Sequence, residues 1–277
     1  MKTKSTILLL LLTVISVYSQ QLYFGVQAGA NMGVAKQRVN TYFYYTNEVP
    51  FLNFAEGENG ETYLENVPVS FASGLGISAH IGYMQGNYGI EISSAFVRGL
   101  SQVATTQYRG SEATYEVMSR NMSFKPVLVY KTDTTKLAFL CKLGAIVSTS
   151  SITNHMYSED NNITNSTKEM ESVQTGKWQV GGYMAIGVEY RVVKGLLFKA
   201  LIDFTMVSFK PTQSKLTKYE INGDDQMMLI SEKNQIITFS DKVKTNNNSQ
   251  NEQLAPQYNL TSIGFNLGVY YIISFKK

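Results

Sequence analysis

From Leu22 to Met32 the chain alternates strictly. Leu22, Phe24, Val26, Ala28, Ala30 and Met32 fall on one face, and Tyr23, Gly25, Gln27, Gly29 and Asn31 on the other. A period of two belongs to a β-strand with unlike faces. The pattern returns over 75–85, 88–100, 121–131, 136–147, 178–191, 196–209 and 259–275. Each stretch has ten or more residues, close to the roughly 9 to 11 that a tilted strand needs to cross a bilayer and longer than the usual ~5 to 6 of soluble sheets.

The connections alternate as well. Those after the second, fourth and sixth stretches are short: Gly86-Asn87, 132–135 and 192–195. The others, 33–74, 101–120, 148–177 and 210–258, are long and polar. Short periplasmic turns opposite long outer loops predict an all-β fold, an eight-stranded up-and-down antiparallel transmembrane β-barrel of the outer-membrane kind. In the fourth long connection, Met227-Met-Leu-Ile230 and Ile236-Ile-Thr-Phe239 flank Ser231–Gln235 and predict a hairpin above the membrane. Its inclusion in the wall would give the alternative of ten strands.

Composition agrees with a membrane wall: 18 Tyr, 14 Phe and 21 Gly stand beside 16% charged residues. Trp178 and Tyr190 lie 12 positions apart on the apolar parity, roughly 30 Å along the membrane normal at a tilt near 40°. They mark two aromatic girdles. Lys2 and Lys4, the apolar run Ile7 to Leu12 continuing to Val17, and Ser19 have the layout of a secretory signal peptide over 1–19, leaving 20–277 as one barrel domain. Its removal lowers the formal charge from +3 to +1, which gives no electrostatic basis for nucleic-acid binding. Cys141 is the only cysteine; it falls on the lipid parity, and internal disulfides and multi-cysteine metal patterns are excluded.

Gly25-Val-Gln-Ala-Gly-Ala-Asn31, Phe124-Lys-Pro-Val-Leu-Val129 and Gly187-Val-Glu-Tyr-Arg191 resemble the PorT-like outer-membrane β-barrel proteins of the Bacteroidetes type, over nearly the whole mature chain. The resemblance implies a bacterial outer-membrane location and a link to type IX secretion, with which the name-giving members are associated.

Carried through all eight stretches, the parity places Lys125, Lys142 and Lys199 inside with Glu91, Glu189 and Asp203, joined by His80. An eight-stranded barrel has room only for its own side chains, and buried charges must be paired. An ion network that includes Glu91 and plugs the lumen is therefore predicted. No cofactor or metal motif is present, and no catalytic residue is assigned.

Function falls to the loops. Tyr42, Phe43, Tyr44, Tyr45, Phe51 and Phe54 in the first long connection, among several glutamates, suit contact with a protein or glycan partner; the same rings would also serve to pack the loop onto the barrel mouth. The leading expectation is a non-enzymatic barrel in contact with outer-membrane lipid, its exposed loops binding an envelope or surface partner. The alternatives are a narrow channel for small or apolar solutes and a loop-borne surface hydrolase built on His155 with neighbouring serines and acids.

Overall fold

The computed structural model describes residues 20–38, 40–43, 46–56, 62–108, 111–132, 136–160, 166–243 and 252–275. The expected signal peptide lies outside them. Eight strands form the wall: β1 (Gln20–Gly33), β2 (Gly74–Gln85), β3 (Tyr88–Gly99), β4 (Ser111–Lys131), β5 (Leu137–Asp160), β6 (Gln179–Val193), β7 (Leu196–Met206) and β8 (Ser262–Phe275). Each pairs antiparallel with the next, and β8 pairs with β1 to close the ring. Full closure leaves the wall without an edge, and the β4–β5 ladder is broken only at Lys125-Pro126 opposite Ala145-Ile146, where proline has no N–H to donate.

Alternation decides which side chains face out. Val26, Leu75, Ile77, Ile90, Leu128, Leu143, Ile186 and Leu267 stay more than half exposed on the outer surface. Soluble monomers rarely carry a contiguous apolar surface of that extent; a band around all eight strands is a lipid-facing belt. Aromatic rings border it. Tyr88 and Tyr130 lie 5.3 Å apart at the turn end, and Phe124 and Trp178 5.7 Å apart toward the opposite end. Gly86, with φ 61°, takes the first central place of the two-residue β2–β3 turn, where a side chain would strain the backbone.

At the other end the long connections depart from the expectation of loops. β4 and β5 run on for about ten residues past the predicted strand limits and pair from Ser111↔Asp160 to Arg120↔Ser151. Strands Gln102–Tyr108 and Ser166–Gly176 flank them, and Pro211–Ile221 follows on the latter. The result is a lobe whose sheet continues the wall. Its inner face has a core of its own: Val117, Ile152, Phe71, Phe209, Tyr258 and Leu260 are all buried. The Phe71 and Tyr258 rings meet edge-on at 4.8 Å, and the Phe71 carbonyl accepts hydrogen bonds from Ser119 Oγ and Asn121 Nδ2.

The hairpin expected around 231–235 does not form. Met227–Leu229 is a 3₁₀ turn that leads to the buried Ile230, and Ile236–Ser240 pairs instead with Pro211–Ile221. Burial of Ile230 against Met156, Met170 and Leu216 outweighs local pairing between two short arms. These strands stay outside the ring, so the wall has eight strands and not ten.

Candidate functional site

Three layers fill the barrel axis. At the turn end Met84, Leu140, Leu197 and Ile272 close the lumen, and at the lobe end the Phe71–Tyr258 core does so. Between them lies a polar layer whose members reach inward because each stands on the strand face opposite the belt.

Glu91 on β3 is the centre of that layer. Lys142 Nζ donates to both of its oxygens at 2.7 and 2.9 Å, and the Tyr23 hydroxyl donates to Oε2 at 2.7 Å. His80 Nδ1 lies 2.9 Å from Oε1, while Ser78 Oγ lies 2.8 Å from His80 Nε2. A ring with its hydrogen on Nδ1 thus donates to Glu91 and accepts from Ser78. The carboxylate is fully satisfied, as an ion removed from water requires. Glu189 is held by Lys131 at 3.1 Å and Lys199 at 3.4 Å. The Lys199 ammonium also stands over the rings of Tyr270 at 4.0 Å and Tyr23 at 4.2 Å. Lys125 is 3.8 Å from Asp203 Oδ2 and 4.6 Å from the centre of the Tyr183 ring.

All seven interior residues named from the sequence, His80, Glu91, Lys125, Lys142, Glu189, Lys199 and Asp203, therefore lie in the lumen, each within 4 Å of an oppositely charged or hydrogen-bonding side chain. Sequence reasoning missed Tyr23, Tyr183, Tyr270 and Lys131. Their inward parity was visible; that phenol rings would cap the lysines was not.

Glycine makes the room. A Cβ on Gly82 would lie 2.2 Å from Tyr23 Cζ, and one on Gly25 2.1 Å from Tyr270 Cδ1. Gly82→Val is accordingly expected to push Tyr23 off Glu91 and destabilise the barrel by about 1–3 kcal/mol, measurable as a lower urea midpoint.

The aromatic loop residues divide. Phe51 is 3% exposed and packs within the lobe core, so its ring serves cohesion and is not presented to a partner. Phe54 is half-buried on the Leu52–Glu56 strand. Tyr42 and Phe43 lie on the short Asn40–Phe43 strand, and Tyr44 and Tyr45 fall outside the described residues.

His155 stands on β5 and not on a loop. It faces the outer side of the lobe, with Nε2 2.7 Å from Glu169 and Nδ1 4.0 Å from Glu116. Ser150 is buried on the opposite face of the same strand, so the two cannot act as nucleophile and base there. Lys218 donates to Glu169 at 2.8 Å and to Glu220 at 3.1 Å. Lys218, then His155, hold the Glu169 carboxyl below its usual range, and Glu169 in turn raises Lys218. A depressed carboxyl stabilises the fold above its unfolded value, and that contribution is lost as pH falls through the folded value. Hydrogen-exchange protection across the Ser166–Gly176 and Pro211–Ile221 pairing should therefore drop as pH falls below the ordinary carboxylate range near 4.3, and Glu169→Gln should flatten that dependence.

No protein-family model matches the chain, and no curated protein matches it in sequence. Among solved structures, it is similar to the surface protein NspA of Neisseria (11% identity, TM-score 0.31, covering 91% of this chain and 96% of that one). A major outer membrane protein from Thermus thermophilus is similar at 10% identity and TM-score 0.39, over 91% and 99% of the two chains. The outer membrane protease OmpT from Escherichia coli is similar at 9% identity and TM-score 0.36, over 92% and 97%.

Proposed function

We propose that this chain is a bacterial outer-membrane protein that neither conducts solutes nor catalyses a reaction, and that it displays a rigid lobe at the cell surface to bind a protein or glycan partner within an envelope complex. The observation that carries the reading is the filled lumen beneath an extended lobe. Lys142, Glu91, Lys199 and Glu189 are each 5% exposed or less, whereas side chains along an aqueous pore would be wetted. A closed barrel leaves the lobe as the part able to act outside the membrane.

The outer face of the lobe supplies a suitable surface. Glu112, Glu116, Glu159, Glu169, Glu171 and Glu220 share it with His155, Lys215 and Lys218 through the cross-strand registers. An acidic and hydroxyl-bearing sheet face favours a partner with cationic or hydroxyl groups. The resemblance to PorT-like proteins makes a type IX secretion assembly one such complex.

Cross-linking in native outer membranes followed by affinity capture tests the reading. One stoichiometric partner, cross-linked through the lobe face and lost when Glu169, Glu171 and Glu220 are changed to lysine, is the expected result. Recovery of the barrel alone would contradict it.

A further inference from the structure

Two arginines stand side by side at the upper margin of the lipid belt. Arg98 on β3 is directly opposite Arg120 on β4, and both side chains are exposed on the outer face. The pair immediately below, Phe96 and Met122, belongs to the belt. Like charges directly opposite one another disfavour the strand pair, so a sequence that keeps them there leaves a local excess of positive charge. Among the described residues neither arginine forms an ion pair. The next acid on that face of β4 is Glu116, four residues further on, which accepts from Ser101 and faces His155.

Two hollows meet at this place. One, of about 310 Å³, is lined by Arg120, Thr149, Ser151 and Thr175, an arginine with three hydroxyls. The other, of about 990 Å³, is a groove on the outer surface that includes Ala28, Ala79 and Ser94, where small side chains lower the wall beside the Ile77–Phe96 pair. Phe96 and Met122 line both hollows, which joins the polar one to the apolar one. Arginine forks match phosphate oxygens in geometry and charge, and the groove lies at the depth of acyl chains.

We propose that Arg98 and Arg120 bind the phosphate head group of a phosphorylated membrane lipid, whose acyl chain occupies the groove over Ala28 and Ala79. The lipid would neutralise the arginine pair and seat the barrel at a fixed height. This goes beyond partner binding and requires only the transmembrane barrel.

The purified barrel in mixed micelles provides the test, with dioleoyl phosphatidic acid and dioleoyl phosphatidylcholine as probes and retained lipid counted by native mass spectrometry. Selective retention of phosphatidic acid is expected, weakened about fivefold by R98Q or by R120Q, with selectivity lost in the double variant. A diazirine-bearing phosphatidic acid should label Phe96, Met122 or Ala79 in the unsubstituted chain, an arm independent of whether a variant folds. Equal retention of the two lipids, or labelling spread around the belt, would overturn the proposal. Full competition by inorganic phosphate at equal concentration would also overturn it, by assigning the arginines to a soluble anion. Because no partner is present, failure here is distinct from failure of the partner-binding reading.

Discussion

Replacing Lys142 with methionine is expected to destabilise the barrel by about 3–5 kcal/mol. Lys142 is 1% exposed, and its ammonium supplies two of the four contacts to the Glu91 carboxylate. Methionine keeps nearly the same volume, so the loss measures charge and hydrogen bonding and not a cavity. Tyr23 and His80 remain as donors, which places the expected value toward the lower end. Adding Glu91→Gln to the same chain removes the stranded charge and should recover most of the stability. Urea unfolding followed by the fluorescence of Trp178, the single tryptophan, reads both effects. Equal loss in the single and double variants would mean that Glu91 does not depend on Lys142.

Phe71→Ala is the second large effect, about 3–5 kcal/mol, and it should be local to the lobe. The ring is 2% exposed and packs on Tyr258, while its backbone carbonyl fixes Ser119 and Asn121 of β4. Truncation leaves a void between the connection before β2 and the connection before β8 without touching the lumen ion network. Limited proteolysis should cut the lobe faster, while the unfolding midpoint reported by Trp178, at the lobe-side border of the belt beside Phe124, moves little. A fall in both together would mean that lobe and barrel unfold as one unit.

The wall was legible because one side of each strand must be apolar to meet lipid. That requirement stamps a period of two on Leu22–Met32 and Leu75–Gln85 strongly enough to fix which residues face in, Glu91 among them. Above the membrane the stamp fades. Outer positions such as Thr153 and His155 meet water, and inner ones mix Ser150 and Asn154 with Ile152 and Met156, so β5 reads as a polar loop although Ile152, Asn154 and Met156 still keep the inward parity. The aromatic first connection left two readings open for a related reason. Composition cannot tell a ring that packs from a ring that binds, and Phe51 and Phe71 pack. The ion network was legible as a set of charges but not as pairs: Lys142 on β5 reaches Glu91 on β3 past the intervening β4, and strand parity alone does not give that proximity.

A bilayer recording of purified protein tests the closed lumen most directly. With residues 20–277 reconstituted in a planar membrane, the layers at Leu197, Glu91 and Phe71 predict a silent trace without stable single-channel steps. Reproducible steps of constant conductance that scale with salt concentration would contradict it.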